Sequence, residues 1–112
     1  MEDQLFSITR YLEESVTGPI VLCGDFNIEP GQDIMIDFID TNALEDRSVH
    51  LETTMFGNHY SPQWLFHSTC NAQKPDYVFT RGVPEHWRIS LQTMPDDGLI
   101  SDHMGIIVTV RF

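Results

Sequence analysis

Residues 20–30 read IVLCGDFNIEP. The four apolar residues Ile20 to Cys23 have the length of a short strand and the composition of one buried on both faces. Gly24 permits close backbone approach, and Pro30-Gly31 is turn chemistry. Directly behind the apolar run stand an acid, Asp25, and an amide, Asn27. Strand side chains alternate faces, so positions 25 and 27 are expected to point the same way. Such a pair either caps a turn or holds something.

The flanking segments frame this strand. Residues 3 to 14 place Leu5, Ile8, Tyr11 and Leu12 on one face, the spacing of an amphipathic helix that ends at Gly18-Pro19. A second helix is expected at about residues 32 to 40, with Ile34, Met35, Phe38 and Ile39 on one side. Periodicity fades from Arg47 to Pro75, a stretch holding Phe56, Tyr60, Trp64, Phe66 and three histidines, His50, His59 and His67. Its aromatic content argues against simple disorder. The aromatics either contact substrate, stacking on a base or touching a lipid, or close the core beneath a long loop. Strand signals return at Asp76-Tyr77-Val78-Phe79-Thr80, which ends at Arg81-Gly82. Trp87, Ile89 and Leu91 alternate with Arg88, Ser90 and Gln92, and Ile106, Val108, Val110 and Phe112 alternate with Ile107, Thr109 and Arg111. Two helices and four strands predict an α/β or α+β fold with a largely β second half.

The bulk composition bounds these readings. At 112 residues the chain fits one small domain, residues 1–112, rather than two. No apolar run reaches the roughly 18–20 residues that span a bilayer. The start, MEDQLF, is acidic and lacks a signal-peptide h-region. A net charge of -11 repels nucleic acid and anionic membranes at long range, while a surplus of carboxylates suits a divalent cation. Two cysteines without CxxC spacing give neither a disulfide framework nor a zinc site, and point to a reducing, intracellular compartment. Cys23 is expected to pack as a small hydrophobe. His59, His67 and Cys70 match no zinc pattern.

Three polar clusters each touch a strand end: Gly24-Asp25-Phe26-Asn27, Pro75-Asp76-Tyr77 and Ser101-Asp102-His103. Strand ends along one sheet edge are neighbours, so the clusters can converge. A histidine flanked by separate carboxylates is what general acid–base chemistry needs, since one carboxylate fixes the tautomer and favours the charged imidazole. Other carboxylates can hold a divalent cation through oxygen. Taken singly, each cluster is also ordinary turn or cap chemistry. The ordered set carries the inference. Lys74 and Arg81, beside Asp76, either meet a phosphate or serve as strand-edge charge.

GDFN, then DYVF, then SDH before an apolar strand, in that order, resembles the C-terminal half of the endonuclease/exonuclease/phosphatase superfamily. These are metal-dependent phosphoesterases of the DNase I-like fold, a four-layer α/β-β/α sandwich. The resemblance covers nearly the whole chain. It implies catalytic roles for Asp25 in proton transfer, Asn27 as a hydrogen-bond partner of the scissile phosphate, Asp76 as the group orienting His103, and His103 as general base or stabiliser of phosphorane-like charge. It implies Asp102 at or near a metal, Mg2+ or alternatively Mn2+, and a phosphoester substrate that is a lipid, a small molecule or a nucleic acid. The superfamily domain is about twice this long, and its N-terminal half carries a metal-binding Glu, usually an Asn and, in many branches, another catalytic His. The chain is therefore expected to be half an active site, with little or no turnover alone and with an open sheet face that invites a dimer or the missing half. The alternative is a non-catalytic binding or interaction module that keeps the fold.

Overall fold

Strand β5, Asp76–Arg81, is the best-buried element of the structure: Tyr77, Val78, Phe79 and Thr80 are all within 1 % of complete burial. Here the structure is a computed structural model, and it describes residues 2–51, 55–56, 72–94, 103 and 105–112. β5 lies between two antiparallel partners, β1 (Ile20–Asp25) and β2 (Glu45–Asp46). Helices α1 (Glu2–Ser15) and α2 (Asp33–Thr41) supply the other half of the core. Two short strands, β3 (Met55–Phe56) and β4 (Ala72–Gln73), pair with each other. The last pair, β6 (Arg88–Met94) and β7 (Gly105–Arg111), is antiparallel along its length. The chain is a small mixed α/β domain. Among the described residues no helix is long and apolar enough to cross a membrane.

The helices form where the sequence spacing predicts. Leu5 and Leu12 of α1 and Met35 and Phe38 of α2 are buried, with Ile8, Ile34 and Ile39 packed against the core. Tyr11 departs from that face and is 63 % exposed, at the rim of the stripe rather than under it. Phe26, Phe38, Tyr77 and Phe79 meet as an aromatic cluster. Phe26 stands edge-on to both Tyr77 and Phe79, with ring centroids 5.6 and 5.5 Å away, and Tyr77 stacks on Phe79 at 5.2 Å. Each such ring contributes roughly 1.5–3 kcal/mol through burial. Asn42, just past α2, ties the helical layer together: its Nδ2 donates to Phe38 O and to Thr9 Oγ1. Arg81, at the far end of β5, donates to the Asn42 carbonyl.

β1 is not buried on both faces. Ile20 is buried and Leu22 packs against the core, but Val21 is 40 % exposed and Cys23 is exposed. The helices cover only one side of this antiparallel strand. Cys23 therefore is not a packed core residue. On the opposite side β5 is shielded: Ser48 Oγ accepts the Val78 N–H, and Arg47 Nε donates to Thr80 Oγ1. The expected open sheet face is thus open along β1 and closed along β5. The expected alternation appears along β6 and the residue before it, with Trp87, Ile89 and Leu91 half-buried and Arg88, Ser90 and Gln92 exposed. Trp87 packs edge-on against Phe112 at 4.6 Å.

Candidate functional site

The register of β1 against β5 pairs Asp25 directly with Asp76, Cys23 with Val78 and Val21 with Thr80. Directly opposed residues of an antiparallel pair project to the same face. Tyr77 and Phe79 take the helical face, so the two carboxylates emerge together on the other one. Neither acid sits there by chance of a loop, because the turn after β1 is sewn onto the segment before β5. Phe26 N–H donates to Pro75 O at 2.9 Å, and the Tyr77 hydroxyl donates to Ile28 O at 2.6 Å. The Glu29 carboxylate accepts the Lys74 N–H through both oxygens, at 3.0 and 2.9 Å. Burial, reinforced by the carboxylates of Glu29 and Asp46, pushes the Tyr77 phenol well above its ordinary range. It therefore stays a neutral donor.

His103 completes the group. Its Nδ1 lies 2.8 Å from Asp76 Oδ2, and its Nε2 lies 3.6 Å from Asp25 Oδ2. An ionised carboxylate only accepts, so the short contact assigns the proton to Nδ1 and directs the other ring nitrogen toward Asp25. The three side chains differ in exposure: Asp76 16 %, His103 29 % and Asp25 38 %. The imidazole is held from the buried side and presented on the open side. A cleft of about 250 Å³ runs from the carboxylates along Cys23 and Val78 to Ile106 and Val108 of β7. A larger apolar groove between α1 and β1 has no carboxylate, histidine or basic residue in its lining, so it does not compete as a reaction centre.

Three of the sequence-derived residues thus come together: Asp25, Asp76 and His103. Asn27 joins them through its backbone. Its N–H donates to Asp25 Oδ1 at 2.9 Å, closing a tight side-chain turn, and its φ of 54° is left-handed. β1 ends at Asp25, so strand alternation does not govern position 27. Asp102 and Ser101 lie outside the described residues, as do His59, Trp64, His67 and Cys70 of the aromatic stretch. Arg81 is spent on Asn42 at the opposite end of β5, away from Asp76. Lys74 is buried, with its backbone committed to Glu29. Glu29 and Tyr77 are the supporting residues that pattern reading missed. Nothing in the spacing marks Glu29, and Tyr77 reads simply as a strand aromatic.

Asp25, Asp76 and His103 offer ligand atoms all within 4.8 Å of one another, a spacing that can hold a metal ion. Mg2+ does not fit this trio as it stands. That ion takes an octahedral shell of oxygens and waters, whereas one donor here is an imidazole nitrogen and one Asp76 oxygen is already engaged by His103. A comparison with protein families and with curated proteins returns no match to this sequence.

Proposed function

We propose that the chain carries the proton-transfer half of a metal-dependent phosphoester hydrolase of the endonuclease/exonuclease/phosphatase type, as the C-terminal half of that DNase I-like domain. The observation that supports this most directly is the Asp76–His103–Asp25 arrangement, at 2.8 and 3.6 Å. It joins three residues far apart in sequence at one strand edge. The ordered GDFN, DYVF and SDH motifs point to the same chemistry.

In this reading Asp76 holds the imidazole in one tautomer and stabilises the imidazolium that forms when Nε2 takes a proton. His103 thereby accepts the proton of an attacking water, or donates to the charge that builds on phosphorus oxygens. Asp25, the most exposed of the three, lies within reach of the same proton and passes it to solvent or to the leaving oxygen. Asn27, on the exposed turn, hydrogen-bonds a phosphate oxygen without adding negative charge. The proposed metal ligand is Asp102, next to His103 in sequence. The apolar floor of the cleft, Val78, Ile106 and Val108, excludes water on one side of the carboxylates. The acidic balance of the chain favours small or lipid phosphoesters over tightly held duplex, because duplex readers present a basic stripe.

The test is Mg2+-dependent release of p-nitrophenol from bis(p-nitrophenyl) phosphate by the complete domain containing this chain. His103→Ala is expected to lower kcat by about 10²–10⁴-fold, the range of general acid–base catalysis. Undiminished turnover in that variant would overturn the reading.

A further inference from the structure

The helical layer carries a groove that shares no residue with the Asp25–Asp76–His103 cluster. It runs between α1 and α2 and has a volume of about 590 Å³. Leu5, Ile34 and Phe38 line it, and Phe6 stands beside them 63 % exposed. An exposed apolar patch with a polar rim marks an interaction site. The rim here is acidic: Glu13 of α1 and Asp37 of α2 line the same groove, and both are exposed. α1 carries four acids and one base, and α2 carries three acids and no base. The base, Arg10, is already engaged by Glu14 at 3.2 Å. Among the described residues neither Glu13 nor Asp37 takes part in an ion pair. The walls are tied together before anything binds, because Asn42 Nδ2, just past α2, donates to Thr9 Oγ1 of α1 at 3.0 Å. A groove fixed in advance lowers the ordering cost of binding.

We propose that this groove binds a basic amphipathic helix of a partner protein, which seats apolar side chains against Phe6, Ile34 and Phe38 and sets Lys or Arg against Glu13 and Asp37. Apolar residues spaced i, i+3, i+4 and i+7 fill such a groove from one face of a helix. Floor and rim together select this occupant. A bare cation answers the acids but leaves Phe6 in water. A neutral apolar segment covers Phe6 but desolvates Glu13 and Asp37 without a partner, which is costly. Nucleic acid and anionic lipid are repelled by a chain of net charge -11. A second copy docking through the same face sets acid against acid. Binding of this kind does not depend on whether the chain hydrolyses phosphoesters.

The probe is a fluorescein-labelled helical peptide of Lys, Leu and Ala, about 15 residues long, with Leu at the spacing above and Lys on both flanks of that stripe. A second peptide keeps every Lys and replaces each Leu by Ser, which measures the attraction of any basic peptide to an acidic protein. Fluorescence anisotropy with the whole chain should show saturable binding of the first peptide, at least about tenfold tighter than the second. Phe6→Ser and Asp37→Lys should each weaken it at least about fivefold, the threshold of a residue that matters at an interface. Ile36→Ser, an exposed apolar residue outside the groove lining, and Glu85→Lys, an exposed acid on the β5–β6 connection, should leave it unchanged. All four positions are exposed, so the fold survives, and far-UV circular dichroism checks that it does. Amide NMR on the unmodified chain needs no variant and should place the shifts at Phe6, Thr9 and Asp37. Equal binding of the two peptides, parental affinity in Phe6→Ser and Asp37→Lys, shifts confined to the cleft at Cys23 and Val78, or no binding at all would each overturn the site.

Discussion

Tyr77→Phe removes one oxygen atom and tests how the candidate site is anchored. The hydroxyl donates to Ile28 O at 2.6 Å from a residue that is 1 % exposed. Phenylalanine fills the same space, so the ring contacts with Phe26 and Phe79 survive. What is lost is one net hydrogen bond, about 0.5–1.5 kcal/mol, with the Ile28 carbonyl left short of a partner in a dry setting. We expect a loss of about 1–2 kcal/mol at pH 8, read by urea unfolding as a lower midpoint with an unchanged slope. The alkaline limb is the sharper half of the prediction. Burial and the nearby Glu29 and Asp46 carboxylates raise the folded-state pKa of Tyr77. In the unfolded chain the phenol ionises near pH ~10. Above that pH the folded state binds more protons than the unfolded state, so stability falls as pH rises. The stability that the buried phenol supplies is fully present below pH ~10. By pH ~11 the loss is about 1.4 kcal/mol, and the variant cannot suffer it. The other tyrosines are common to both proteins and cancel. The penalty at pH 8 should therefore shrink toward zero near pH 11. Equal stability at pH 8, or a difference that stays constant from pH 8 to 11, would refute the buried-donor assignment.

Phe79→Ala deletes the fully buried ring at the centre of the aromatic cluster and should cost about 3–5 kcal/mol, visible as a collapse of the thermal melt. Ala43 holds a left-handed φ of 52°; Ala43→Gly should raise stability by about 0.5–1 kcal/mol, because relief of a strain of about 1–2 kcal/mol outweighs the added freedom of the unfolded chain. Long-range proton–nitrogen NMR should find the neutral ring of His103 protonated at Nδ1, and Asp76→Asn should perturb that signal. A ring protonated at Nε2 would contradict the 2.8 Å donor contact.

The amphipathic spacing of α1 and α2 and the two-residue alternation of β6 made those elements legible, because each buries one face against a partner. β5 was legible as a run of β-branched and aromatic residues. β2, β3 and β4 were not, since two residues carry no period. β1 is ambiguous in sequence for a physical reason: four consecutive apolar residues look alike whether one or both faces are covered. Only the position of the helices decides that Val21 and Cys23 stay exposed. Much the same holds at the site. The acids at the strand ends and the histidine before the last strand were visible in the order of the motifs. The antiparallel register that sets Asp25 opposite Asp76 was not. Neither were the long-range ties through Tyr77 and Glu29 that hold the two strand ends together, because they span 49 and 45 residues of sequence.

The proposed hydrolase requires Asp76 to work through His103 as one device. A double-mutant cycle on Mg2+-dependent phosphodiester hydrolysis by the complete domain proposed to contain this chain tests it directly. If Asp76 serves only to orient and charge-stabilise that imidazole, Asp76→Asn should slow turnover on its own but add almost nothing once His103→Ala is present, as for residues that act as a unit. Losses that multiply in the double variant, or an Asp76→Asn protein that turns over at the parental rate, would show that the 2.8 Å contact has no part in the chemistry.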